Sequence, residues 1–135
     1  MKKDKGSIVS IVPVIFAIVG VAIMLLFYIG WMENVSKKDE ARQIGRKYIL
    51  MMESKGYLDG TMESSLRAEL ATVGVSNISL SGTTTSDAGY GHSIVLNISG
   101  DLAIKDYQMG SSIFQLIGSP GTIPISLKFQ STAKN

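Results

Sequence analysis

The sequence predicts an α+β fold: a long N-terminal transmembrane helix continuing into a small domain with a short second helix and an antiparallel sheet of three or more strands. Three observations predict it. Residues 7–32 contain no charged side chain. Apolar residues then recur at three- and four-residue spacing as far as about residue 53, which is helical periodicity. Beyond residue 75 the apolar period changes to two in three separate stretches, which is strand periodicity.

The uncharged run divides the chain. Its 26 residues reach about 39 Å as a helix, more than the roughly 30 Å hydrocarbon core of a bilayer. A secretory signal has an apolar stretch of about 7–15 residues ending in small residues. This run is longer and ends in Tyr28, Gly30, Trp31 and Met32. It therefore reads as a span over 7–32, preceded by a basic cytoplasmic leader over 1–6. Lys2, Lys3 and Lys5 anchor the inner interface by the positive-inside bias, and Tyr28 and Trp31 suit the outer headgroup belt. The chain is expected to be a single-pass protein of the cell membrane, with its N-terminus cytoplasmic and its C-terminal domain extracytoplasmic. Within the span Ser10, Pro13, Ala17, Gly20 and Met24 recur three and four apart. They share one face, and its small residues make it a candidate surface for close helix packing.

Residues 33–55 continue the helix as an amphipathic segment. A solvated neck around Lys37 and Lys38 leads to Ala41, Ile44, Tyr48, Met51 and Met52, of which Tyr48, Met51 and Met52 are expected to face the small domain. Gly45 weakens the helix by about 1 kcal/mol relative to alanine. Residues 56–135 form the outer domain. Asp59-Gly60 marks a turn, Thr61 is a cap for a second helix carrying Met62, Leu66, Leu70 and Val73, and Gly74 is its stop. Strands follow around Ile78 and Leu80, around Ile94, Leu96 and Ile98, and around Ile123, Ile125, Leu127 and Phe129. Residues 87–91 read as the first hairpin loop, and Ser119-Pro120-Gly121 as a type II turn into the last strand. The segment 105–118 fits either a short helix or an apolar loop over the sheet.

About 30 residues in lipid leave about 100 for one small fold. The net charge of +2 owes much to Lys2, Lys3 and Lys5, so no basic patch for nucleic acid is formed. The absence of cysteine excludes disulfides, thiolate metal sites and a cysteine nucleophile. It leans towards a bacterial surface protein. His92 is the only histidine, and its neighbours Asp87 and Ser93 share one hairpin loop, whereas a catalytic triad needs separate rigid elements. Gly89-Tyr90-Gly91 has no pore helices around it to form an ion filter. Asn77-Ile78-Ser79 and Asn97-Ile98-Ser99 match the glycosylation triplet but fall in alternating strand patterns. No catalytic, cofactor, metal or small-molecule site is expected.

A basic leader, a glycine, an apolar helix that becomes amphipathic and then a small antiparallel sheet together resemble the pilin and pseudopilin class of type IV filament proteins. The likeness is greatest to the TadE-like minor pseudopilins of tight-adherence pili. It is carried by Lys5-Gly6 followed by Ser7-Ile8-Val9-Ser10-Ile11-Val12-Pro13, and by Glu40-Ala41-Arg42-Gln43-Ile44-Gly45-Arg46-Lys47-Tyr48. The resemblance implies a pilin-like fold and cleavage between Gly6 and Ser7. It also implies a glutamate at the fifth mature position, where this chain has Ile11. The implied function is that of a structural subunit of a bacterial surface filament or of a secretion or conjugation machine. Such a subunit assembles as a homo- or hetero-oligomer through its N-terminal helix, with the lipid bilayer and other pilus or secretion components as partners. The alternative is a permanently anchored accessory protein whose outer domain binds another machine component.

Overall fold

The structure, a computed structural model, describes residues 5–109 and 116–135, with side chains described over 10–105 and 120–135. The elements are α1 (Lys5–Lys55), α2 (Gly60–Val73), β1 (Val75–Ser79), β2 (Ser93–Met109) and β3 (Leu116–Thr132). The strands form one antiparallel sheet in the order β1-β2-β3. The α+β layout is the one expected.

α1 runs unbroken for 51 residues with Pro13 inside it. Its exposed neck is laced by Glu33–Lys37 at 3.9 Å and Asp39–Arg42 at 3.8 Å, pairs that add little individually. Gly56 ends the helix at φ +83°, its N–H bonded to the Met52 carbonyl. The face turned to the domain is Ala41, Gly45, Tyr48, Ile49 and Met52. Met51 is 43% exposed, against expectation: it lies about 100° round the helix from Met52, on the flank away from Ile49 and beyond the edge of the buried face.

The cap of α2 is Asp59, not Thr61, which lies within the helix. Asp59 holds an extended backbone, and its Oδ1 accepts from the Met62 N–H at 2.8 Å. A carboxylate caps better than a threonine hydroxyl and also meets the positive end of the helix dipole. Gly74 is the stop expected, in the left-handed conformation at φ +98°, with its N–H directed to the Ala71 carbonyl.

β2 and β3 pair without a break from Ser93↔Thr132 to Met109↔Leu116. Residues 105–109 and 116–118 are therefore strand rather than helix or loop, while 110–115 lie outside the described residues. Ser119-Pro120-Gly121 forms no turn; it pairs with Asp106, Lys105 and Ile104. Proline is tolerated because β3 is an edge strand. Pro120 and Pro124 are four apart, so their missing donors fall on the same side of the backbone, where a free edge loses nothing.

β1 is short, and its register shifts between Ser76 and Ser79, where Asn77 takes φ +51°. Leu80 lies beyond the strand. The first hairpin connection runs over 80–92, longer than the 87–91 expected, and it has a structural task. Thr83 and Thr84 take over the edge of β2 that β1 does not reach. The Thr84 N–H donates to the Val95 carbonyl at 2.9 Å, and the Thr83 hydroxyl accepts from the Asn97 N–H at 3.0 Å.

The core lies between the sheet and the two helices. Tyr48, Met52, Leu66, Leu70, Ile94, Leu96, Ile98 and Leu102 are its largest fully buried members. The inward row of β2 keeps its period of two through Gly100, where a side chain would meet the Ser76 carbonyl at 2.7 Å.

Candidate functional site: the exposed helix and its seam with the sheet

α1 is long and apolar enough to cross a membrane. Its apolar half stands clear of the domain: Phe16 is 73%, Met24 75% and Trp31 65% exposed. Ser10, Pro13, Ala17, Gly20 and Met24 are all exposed, and nothing lies within 4 Å of where a side chain on Gly20 would begin. This face is turned by roughly 100° from the stripe carrying Ala41, Tyr48 and Met52, so the domain does not cover it. Tyr28 and Trp31, one turn apart, have ring centroids separated by 6.4 Å. Gly6 and Ser7 fall in the first turn of α1. Lys2 and Lys3 lie outside the described residues, as does the side chain of Lys5.

Three clasps join the amphipathic half to the domain. Nearest the apolar half, the Asn34 side chain brackets the backbone of Lys105. Its Nδ2 donates to the carbonyl at 3.1 Å, and its Oδ1 accepts from the N–H at 3.4 Å. The Lys105 ammonium stands 3.7 Å from Glu33. In the middle, Glu69 on α2 accepts from Lys47 at 2.6 Å and from the Tyr48 hydroxyl at 2.9 Å. At the far end, Glu53 accepts from the Ser131 hydroxyl and from Lys134 Nζ, the latter at 2.6 Å, while the Lys134 N–H donates to the Glu53 carbonyl.

These contacts bias the carboxylates towards the ionised form. Lys134, and after it Ser131, holds Glu53 below its ordinary pKa. Lys47, then Tyr48, does the same for Glu69. Lys55, then the Met62 N–H, lowers Asp59, and the Gly89 N–H, then Asn135, lowers Asp87. All four directions have one sign. The stabilisation is complete above ordinary carboxylate values, about 4, and is lost as pH falls through the lowered folded-state values. Thermal unfolding in detergent should therefore show a midpoint constant near neutrality that falls below about pH 4. The fall should be shallower for Glu69→Gln and at high salt, because these pairs are exposed. A midpoint flat into that range would show that the clasps contribute nothing.

The loop of His92 assembles no relay. His92 Nδ1 lies 3.2 Å from the Tyr90 carbonyl, Asp87 accepts from the Gly89 N–H and from Asn135, and the Ser93 hydroxyl accepts from Gln130. A surface depression between Lys38, Arg42, Pro124 and Leu127 holds about 140 Å³, below the roughly 300 Å³ at which ligand pockets begin. Among the described residues no group of histidine and acidic side chains is placed to hold a metal.

The small-residue face and the aromatic pair were visible as spacing in the sequence. The clasps were not: Asn34 and Lys105 are 71 residues apart, and Glu53 and Lys134 are 81 apart. In comparison with known proteins, no family model, no curated protein and no solved structure matches the chain.

Proposed function

We propose that the chain is a pilin-like or pseudopilin structural subunit of a bacterial surface filament or of a secretion or conjugation machine, held in the membrane and assembled through α1. One observation carries the reading. A single continuous helix is exposed over most of its apolar half and clasped to the outer domain along its amphipathic half. An exposed apolar helix of this length needs lipid or other helices around it. A rigid continuation into the domain couples the placement of the helix to that of the domain. The basic residues at the N-terminus and the Tyr28–Trp31 pair support an outward-facing domain.

Disulfide or photo-cross-linking between neighbouring copies in membranes tests the assembly. Gly20→Leu should abolish cross-links by pushing backbones apart, while Val19→Leu and Val21→Leu, on other faces, should not. Insertion should survive all three, because leucine at a helix centre is favourable by about 0.3 to 0.6 kcal/mol. Three variants that cross-link like the parent would remove the packing face. The second reading, a permanently anchored accessory protein, is favoured by Ile11 at the position where the filament class uses glutamate. Intact mass separates the two: loss of residues 1–6 supports the filament subunit, and a retained leader supports the anchor.

A further inference from the structure

We infer that the free edge of β3 is a docking site for an extended acidic segment of another protein, which adds to the sheet as a further strand. The edge is available whether α1 enters a filament or remains a permanent anchor. Its backbone is the first observation. On β2 the N–H and C=O of Val95 are both taken on the β1 side, by the hydroxyl and the N–H of Thr84. Those of Asn97 are taken on that side by the Thr83 hydroxyl. The ladder partners of Val95 and Asn97 are Gln130 and Lys128. These pairs exchange no bonds across the ladder, so Gln130 and Lys128 turn their own N–H and C=O to the free side. The pattern repeats every two residues, which gives Ser126 the same direction and matches the missing donor of Pro124. Among the described residues no main-chain group outside the sheet bonds to Ser126, Lys128 or Gln130. An unpaired edge of this kind is a template for one more strand.

Charge beside this edge selects the occupant. Lys38 and Arg42 on α1 face residues 124–127 across the surface depression, and Arg46 continues their row one turn further out. All three are exposed, as is Lys128 on the outer face of the sheet. Lys38 and Arg46 have no ionic partner among the described residues. Arg42 stands 3.8 Å from Asp39, an exposed pair of the kind that contributes little, and Glu53 further along is already held by Lys134. Successive members of the row are about 6 Å apart along the helix, close to the roughly 6.7 Å between same-face residues of a strand. Acidic side chains at alternate positions of an added strand therefore meet successive cations. Pairing with β3 of a second copy is disfavoured by the same features. It brings two basic rows together, and Pro120 and Pro124 interrupt the donors on both strands. A lipid headgroup matches the charge but makes no use of the main-chain donors and acceptors.

A fluorophore-labelled peptide alternating glutamate with threonine is titrated with the full-length protein in uncharged detergent, and its anisotropy is followed. Two peptides run beside it. One has lysine in place of glutamate; the other is the glutamate peptide methylated at every backbone nitrogen, which keeps the charge and removes the donors. Binding is expected for the unmethylated glutamate peptide alone, falling as salt is raised and about tenfold weaker for Arg42→Glu. Ser126→Pro removes a free-side donor as Pro124 already does, and should weaken binding by a similar factor with the thermal melt unchanged. Where that variant lowers the melt, the methylated peptide tests the edge on the unaltered protein. Equal binding of the methylated and unmethylated peptides would show that the cations attract any anion, and would overturn the strand site. No binding of the glutamate peptide, or binding indifferent to Arg42→Glu, would overturn it as well. The chain has no cysteine, so a disulfide-linked dimer through Lys128→Cys that is lost on adding Ser126→Pro would place a second copy on the edge instead, and would also overturn it.

Discussion

Leu96→Ala is expected to destabilise the outer domain by about 2–5 kcal/mol, the cost of a cavity in a packed core. Leu96 is fully buried on the central strand and pairs with Phe129. Ile94 and Ile98 flank it on the same inward row, with Tyr48, Met52, Leu66 and Leu70 from the helices in the same core. With β3 on one side of β2 here and the Thr83–Thr84 segment bonded along the other, there is little freedom to collapse around the missing methyl groups. Leu50→Ala is the matched control. Leu50 is 62% exposed on α1, so its truncation should fall within about 0.5 kcal/mol. For a domain of this size each kcal/mol shifts the unfolding midpoint by about 4–8 °C, which separates the two variants in a detergent-solubilised melt. Equal midpoints would mean that Leu96 is not in the core.

Gly45→Ala is expected to destabilise the domain even though alanine is the better helix former by about 1 kcal/mol. A Cβ at this position would lie 2.3 Å from Phe129 Cε2 and 2.7 Å from Cζ. Overpacking of this kind costs about 1–3 kcal/mol, which exceeds the helical gain unless the ring swings aside. Phe129→Leu removes the outer ring atoms, so Gly45→Ala made in that background should lose most of its penalty, and the two substitutions should be non-additive. Gly45→Ala that stabilises the native background would show that Phe129 does not press on the helix. The glycine that weakens α1 when read alone is thus the position that lets β3 approach it.

Much of the architecture was legible because it is set by neighbours in the chain. The run over 7–32 is uncharged whatever packs beside it. Gly74 can turn left-handed where other residues resist it. The alternation of Ile94, Leu96 and Ile98 has to put one row on one face. The candidate packing face from Ser10 to Met24 was likewise a matter of spacing along one helix.

The tertiary structure decided what depends on residues far apart in sequence. Met51 and Met52 carry the same side chain, and only the position of the sheet selects Met52 for burial. Ser119-Pro120-Gly121 has the local chemistry of a turn, but pairing with residues 104–106 on one side and a free edge on the other keeps it extended. A weak local preference yields to a ladder of long-range hydrogen bonds. The Asn34–Lys105 and Glu53–Lys134 clasps leave no periodic trace, because hydrogen bonds between distant segments are specified by where the chain has already folded. By itself the sequence determined that a long apolar helix is joined to a small α+β domain. The tertiary structure decided which face of that helix the domain occupies, and so which face stays open, because that choice rests on contacts made only once helix and sheet are brought together.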